Sequence, residues 1–447
     1  MPQRTIDRSI QLSGLEIQPG MPICQQDLPL DRYQEEFRPY AEEYLALPGR
    51  TPEVVLPWMD TYLKPALDHF GDRLMLLAHY YMGGEIVKLV EHYGGRIADS
   101  YELALQAAAN PRTEFIVESA VHFMAESIAT LAHPHQQVFI TNPRAGCTME
   151  LYAKEFHITP FFEQLQERYG DEFLVVCYMN TSGRVKALAG QTGGAVCTSS
   201  NAKAVMQWAL AQGRKVLWVP DRHLGEVACW QAGIPPEQQY LWPNGTEGML
   251  KKVSALAPDE LARLDAARVV LWGSYCGVHT VFKPEMVDYW HGRGFKVLAH
   301  PECPLPFVKK ADGAGSTKFL WNAVMTAKRG DKLALATEGH FVANARDQGR
   351  ARGVEIVHVA DIPDPSYQSI GCGCATMSRN DPPHLVATVD LLAKGKLPDI
   401  NRVLVGDVVD EISGFRERLD GEERALVAKN ARAALQRMVE ITEASQA

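Results

Sequence analysis

No stretch of this 447-residue chain approaches the roughly 18–20 consecutive apolar residues that span a bilayer. The longest such run near the first strand, LMLLA, has only the length of a strand, so no membrane role is expected. The N-terminus, MPQRTIDRSIQLSGLEIQPG, lacks the continuous apolar core of a secretory signal, and the protein is expected in the cytosol. Basic blocks are missing too. The chain carries 45 Lys and Arg against 54 Asp and Glu, a net charge of −9, and no basic stripe with interleaved aromatics offsets that sign, which argues against a nucleic-acid partner. Paired CxxC signatures of structural zinc and the clustered triplets of ferredoxins are absent, as are low-complexity tracts and long linkers. Nine cysteines are present, at 24, 147, 177, 197, 229, 276, 303, 372 and 374. In a reducing compartment they point to metal or catalytic work rather than a disulfide framework.

What is there is a signal told three times. The first copy reads LLAHYY (Leu76 to Tyr81), ADS (Ala98 to Ser100), VHF (Val121 to Phe123) and AGC (Ala145 to Cys147). The second reads VVCYMN (Val175 to Asn180), TSSN (Thr198 to Asn201), RHL (Arg222 to Leu224) and SYC (Ser274 to Cys276). The third reads VLAHPE (Val297 to Glu302), GST (Gly315 to Thr317), GHF (Gly339 to Phe341) and CGC (Cys372 to Cys374). From the polar residue ending the first strand to the later His the spacing is 43, 45 and 40 residues (79 to 122, 178 to 223, 300 to 340). Self-similarity of this kind decides architecture.

Short β-rich runs (LMLLA, EFIVES, QVFIT, FLVVC, KVLWVP, RVVLWG, KVLAH, KLALAT, EIVHVA) alternate with helical stretches, which predicts parallel sheets covered by helices on both faces. The expected α/β fold is three pseudo-threefold-related αβα layers, each with a three- or four-stranded parallel sheet, around a central site. The boundaries expected are an N-terminal arm (1–70), repeats at 71–150, 151–292 and 293–394, and a C-terminal helical segment (395–447). The arm should carry helices near Tyr33 to Leu47 and Val54 to His69 and act in packing. A docking helix is expected in GEERALVAKNARAALQRMVEITEA, with Leu426, Leu435, Met438 and Ile441 on one face.

Ligands of such sheets bind beyond the carboxyl ends of the strands, where the marked residues sit. Cys147, Cys276 and Cys374 each follow a Gly-containing turn past a repeat's last strand, so the symmetry would bring three thiols together. Three thiolates suit an Fe–S cluster or zinc, and three ligands leave one metal position open for Lewis-acid work. The buried-hydrophobe reading fits Cys24, Cys177, Cys197, Cys229 and Cys303, whereas Cys372 reads either as a spare thiol or as an alternative ligand. The pairs His79 and Tyr81, Tyr178 and Asn180, and His300 and Glu302 have i, i+2 spacing, which on an extended strand aims both members to one side. Ser100, Ser199, Ser200, Ser316 and Thr317 precede helices, where a hydroxyl caps the first turn and three helix starts could receive an anion. His122, His223 and His340 recur with an apolar neighbour, which indicates packing first and chemistry second. Lys186 is the one lysine to consider for a Schiff base, against a solvated or anion-neutralising role.

Taken in order, AHYY, GGRIADS, HFMAE, AGC, YMNTSGRVKA, TSSNA, PDRHLG, CGVH, HPEC, GSTK, TEG and CATMSRN resemble the quinolinate synthase family, Fe–S enzymes of de novo NAD biosynthesis, over about residues 74 to 394. The resemblance implies a pseudo-threefold arrangement of three αβα domains with a [4Fe–4S] cluster on Cys147, Cys276 and Cys374, the last chosen over Cys372 by the CATM stretch. It also implies condensation of iminoaspartate with dihydroxyacetone phosphate to quinolinate, phosphate and water, with an L-aspartate oxidase or dehydrogenase supplying iminoaspartate. His79, Tyr81, His300 and Glu302 would be acid/base and positioning residues. Ser100, Tyr178, Asn180, Ser199, His279, Ser316 and Thr317 would hold substrate carboxylates and phosphate, as would His79, His300 and Glu302. The chain departs from the family at MGGE (Met82 to Glu85), at SAVHF, in a longer TSGRVKALAGQTGGAVCTSSN stretch, and in an insertion before Cys276 containing PNGTEGMLKK. Two other readings stay open on the residues alone: a non-catalytic Fe–S or redox sensor, and a lysine-dependent aldolase.

Overall fold

The computed structural model describes residues 28–363, 373–410 and 416–446; Cys24 and Cys372 lie outside them. The described residues fall into two compact units, one drawn from 1–145, 374–404 and 409–416, the other from 146–373, 405–408 and 417–447.

The first unit holds one five-stranded sheet: β1 (Leu74–His79), β2 (Arg96–Ala98), β3 (Phe115–Ser119), β4 (Gln137–Ile140) and β14 (Arg402–Val403); a two-stranded ribbon, Val408–Val409 with Arg416–Glu417, lies at its boundary. Its order is β2-β1-β3-β4-β14, parallel except for β14, which runs antiparallel to β4. The second unit holds two sheets. One contains β5 (Phe173–Tyr178), β6 (Ala195–Cys197), β7 (Lys215–Val219), β8 (Gln239–Trp242) and β9 (Val269–Trp272) in the order β6-β5-β7-β9-β8. The other contains β10 (Lys296–Ala299), β11 (Gly313–Ala314), β12 (Lys332–Ala336) and β13 (Glu355–His358) in the order β11-β10-β12-β13. Both are wholly parallel.

Each sheet therefore places its second strand on one side of the first and its third on the other. The crossover connection reverses between the first and third strands, and that reversal opens the crevice at the carboxyl ends where doubly wound sheets take ligands. Two sheets exceed the expected three or four strands. β14 arrives from the C-terminal part of the chain, and β8 lies in the long segment before Cys276, followed by the helix Gly245–Leu250.

Strands such as FLVVCY are buried along their whole length, as parallel strands covered on both faces must be. Under the first sheet, Leu77, Ile116 and Ile140 pack on Leu103, Ala104, Ala125 and Ile128 from the helices Ser100–Ala108 and His122–Leu131. In the second unit, Val227 shares a core with Phe282, Trp290, Val297, Phe307 and Ala334. The docking helix forms over Gly421–Gln446 with Ala431, Ala434, Leu435, Met438 and Ile441 buried, but Leu426 is 56% exposed, one turn outside the stripe. Gly190 lets this helix pass: a Cβ there would drive into the Asn430 carbonyl.

The arm forms helices Arg38–Ala46 and Pro52–Phe70 and packs against the helix Pro382–Ala393 within the first unit. The Tyr33 hydroxyl donates to Asp381 Oδ2 and the Tyr40 hydroxyl to Asp390 Oδ2, each at 2.5 Å. The Tyr33 ring stacks on His384 at 4.7 Å.

A glycine pair precedes the second strand in two repeats. Gly94 and Gly193 end a helix at φ 78° and 77°, left-handed values that favour glycine. Gly95 and Gly194 follow, and a Cβ on Gly194 would collide with the Val175 carbonyl of β5. Gly194→Ala should therefore cost at least about 2 kcal/mol, in the upper range for overpacking; a thermal melt unchanged from the parent would refute that close approach.

Candidate functional site

The second unit gathers its polar residues beyond the carboxyl ends of β5, β9 and β10. Tyr178 closes β5, Cys276 and His279 lie in the turn after β9, and His300 and Glu302 follow β10. Glu302 is the centre. It is buried, with 3% of its surface exposed, and His279 Nδ1 lies 2.8 Å from its Oε2. His300 Nδ1 is 3.9 Å from the same oxygen, and Tyr178 hydrogen-bonds the carboxylate. The His279 and His300 rings stack at 4.7 Å, and His279 Nε2 sits 3.2 Å from Thr337 Oγ1.

Burial pushes the Glu302 carboxyl up, but the attraction of His279 and His300, with hydrogen bonds from His279 and Tyr178, outweighs it and holds the group at about 2. Asp221 goes the other way: complete burial, and then the neighbouring Glu302 charge, push its carboxyl well up despite hydrogen bonds from backbone N–H groups. Leu224 N–H donates to it at 2.9 Å and Cys276 N–H at 3.3 Å. Two neighbouring carboxyls are thus driven apart, one down and one up, the pattern that separates acid and base roles in enzyme sites.

Cys276 Sγ, a His279 ring nitrogen and a Glu302 oxygen all lie within 4.8 Å of one another. This thiolate, imidazole and carboxylate set could hold a metal ion.

Reading the pairs as strand neighbours needs correction, because the second member of each lies in the turn after the strand. The fold-back is set by the first residue: Tyr81 N–H donates to His79 Nδ1 at 3.2 Å and Glu302 N–H to His300 Nδ1 at 3.4 Å. In the second repeat Thr181 Oγ1 donates to the Tyr178 carbonyl at 3.0 Å, beside the half-buried Asn180. The capping expectation holds at Ser316 alone, whose Oγ accepts from Phe319 N–H at 3.4 Å, with Thr317 opening the helix Thr317–Thr326. In the first repeat Asp99 is the cap, accepting from Glu102 N–H at 3.0 Å, and Ser100 is the first helical residue. In the second, Asn201 occupies the cap position but turns back to accept from Thr198 N–H at 2.7 Å, with Ser199 half-buried and Ser200 exposed in the turn between.

His79 and Tyr81 belong to the first unit, their rings 5.0 Å apart edge to face. Cys374 also belongs there, with Sγ 3.2 Å from Thr376 Oγ1, while Cys147 and Cys276 belong to the second. All three are half-exposed and in no disulfide, whereas Cys177, Cys197, Cys229 and Cys303 are buried. Burial pushes Cys177 up to about 11 and Cys229 to about 12, so these resist becoming thiolate ligands.

Of the recurring histidines, His122 is buried at a helix start, and His223 Nε2 lies 3.3 Å from Thr280 Oγ1. His340 Nδ1 pairs with Glu338 Oε1 at 2.7 Å. Lys186 is wholly buried and donates to the Thr181 carbonyl, which tethers the turn after Tyr178 and removes the solvated reading. Asp221, Thr337 and Glu338 are the site residues that the residue patterns left unmarked. Their signal was in PDRHLG and TEG, where an acid stands two residues before the marked His and, in TEG, a hydroxyl three before it.

A family model described as quinolinate synthetase A protein matches residues 66–440. The chain belongs to this family. Its relatives include the quinolinate synthases of Corynebacterium glutamicum, 35% identical over 351 residues covering 78% of this chain and 83% of the relative, and of Streptomyces coelicolor, 35% identical over 378 residues covering 83% and 89%. That of Geobacillus sp. is 32% identical over 361 residues, covering 78% and 89%. The family match takes in the whole span from Tyr178 to Thr337 that builds the Glu302 centre. Among the described residues, no helix is long and apolar enough to cross a membrane.

Because the folded Glu302 carboxyl lies below its ordinary 4.5, the stability it supplies is complete above about pH 4.5 and is lost as pH falls through about 2. Chemical unfolding followed from pH 5 to pH 2 should show Glu302→Gln losing less stability on acidification than the parent. Equal losses would deny the pairing.

Proposed function

We propose that the protein is a quinolinate synthase that condenses iminoaspartate with dihydroxyacetone phosphate in the cytosol, giving quinolinate, phosphate and water. The observation that carries this reading is the Glu302 centre, lying within a family match that spans most of the chain. Residues 71–150, 151–292 and 293–394 are read as three αβα repeats, each contributing one cluster cysteine. A [4Fe–4S] cluster is assigned to Cys147, Cys276 and Cys374: each is half-exposed, in no disulfide, and follows in the chain the last parallel strand of a sheet. When bound, such a cluster with one open iron supplies Lewis-acid polarisation of substrate oxygens.

The chain's own residues do the rest. Glu302, ionised across the physiological range, accepts a proton from substrate, and Tyr178 and His279 hold its oxygens in place. His300, and His79 with Tyr81, supply further acid/base and positioning groups. Asn180, Ser199, Ser316, Thr317 and Ser100 receive substrate carboxylates and phosphate, the anion being drawn by local helix starts rather than by the acidic whole. Because iminoaspartate hydrolyses readily, an L-aspartate oxidase or dehydrogenase is the expected supplier. The buried, carbonyl-bound Lys186 gives no support to the aldolase alternative.

Anaerobically reconstituted protein, given dihydroxyacetone phosphate and freshly generated iminoaspartate, should form quinolinate and carry an iron–sulfur cluster by iron and sulfide assay. Cys276→Ser should abolish both, and product formed without any cluster would overturn the reading. Glu302→Gln should keep its iron while turnover falls about a hundredfold or more, the scale of general acid–base catalysis.

A further inference from the structure

The donor set around Glu302 has a second use. We propose that, before any cluster is loaded, Cys276, His279 and Glu302 form a mononuclear site for a divalent thiophilic cation, zinc foremost. Their donor atoms lie within 4.8 Å of one another, and the His279–Glu302 pair is already at 2.8 Å. Tetrahedral zinc, with bonds of about 2.0–2.3 Å, places its ligands about 3.3–3.6 Å apart, so the His279–Glu302 pair opens by less than an ångström and donors toward the 4.8 Å limit close in as the cation replaces their hydrogen bond. The charge also balances. Once Cys276 gives up its proton, thiolate and carboxylate together neutralise a dication, which a buried site requires.

Each ligand has a supporting partner of the kind that orients metal ligands. With His279 bound through Nδ1, its Nε2–H points to Thr337 Oγ1 at 3.2 Å. Tyr178 hydrogen-bonds the Glu302 carboxylate. Asp221 Oδ2 accepts from the Cys276 backbone N–H at 3.3 Å, which fixes the Cys276 loop. Three protein ligands of mixed N, O and S type leave a fourth position for water. The site itself does not depend on the cluster reading. One consequence does: a cation held here occupies Cys276, so zinc would block cluster assembly.

Cobalt(II) titrated anaerobically into full-length protein stripped of iron and zinc tests the site directly. The expected absorption is thiolate-to-cobalt charge transfer with the intensity of one thiolate. It should be lost in Cys276→Ser and retained in Cys147→Ser and Cys374→Ser. Affinity should fall more than about tenfold in His279→Gln and Glu302→Gln, and about tenfold in Thr337→Val, the scale of a lost orienting partner. Circular dichroism identifies any variant that fails to fold, and Thr337→Val, which removes no ligand, keeps the test decisive in that event. Three-thiolate intensity, dependence on Cys147 or Cys374, or full affinity in both the His279 and Glu302 variants would overturn the proposal. Preloading one equivalent of zinc should then suppress cluster absorbance. Full cluster formation despite bound zinc would count against Cys276 as a cluster ligand while leaving the cobalt result standing.

Discussion

The second unit is organised around one desolvated negative charge. A carboxylate buried like Glu302 would be strongly destabilising without partners, and its partners come from different places in the chain: Tyr178 from the end of β5, His279 from the loop after β9, His300 from the start of its own turn. The two sheets must therefore be in register with one another before this charge is tolerable. Conversely, the charge penalises any packing of them that leaves it unpaired. A structural demand and a chemical resource coincide in the same atom group.

The neighbouring Asp221 sharpens the contrast. It is as buried as Glu302, but no imidazole charge offsets the loss of water, which together with the Glu302 charge pushes its carboxyl well up. Backbone N–H donors partly compensate, which is how one acidic side chain can cap the helix Arg222–Gln231 and tie down the Cys276 loop at once.

Nine of the strands were legible as β-rich runs, because four to six residues dominated by apolar and β-branched side chains leave a clear imprint. β2, β6, β11 and β14 were not, since two or three residues cannot carry a period, and β8 was hidden inside what read as an insertion. The repeat made Tyr178, His300, Glu302 and Cys276 visible by position. Their mutual contacts were not, because spacing along a chain does not say which loops fold back. The pairs at His79 and His300 illustrate this: alternation on a strand suggested a shared direction, yet a backbone N–H closing on the first imidazole is what sets the turn. Capping failed as a guide where a stronger acceptor, Asp99, stood one residue earlier.

The first unit is assembled from two distant parts of the chain. Its arm is fastened through Tyr33 and Tyr40 to a helix that begins at Pro382, its outer strand β14 comes still later, and Cys374 belongs to the late portion. On a ribosome working at about 5–20 residues per second, the stretch 146–373 takes on the order of ten to fifty seconds to emerge. During that interval β1 to β4 exist without the helix that covers them, and Cys374, the third thiol of the proposed cluster, has not been made. Completion of the first unit is thereby confined to the nearly finished polypeptide, and until then its first four strands wait on a part of the chain that comes more than two hundred residues later.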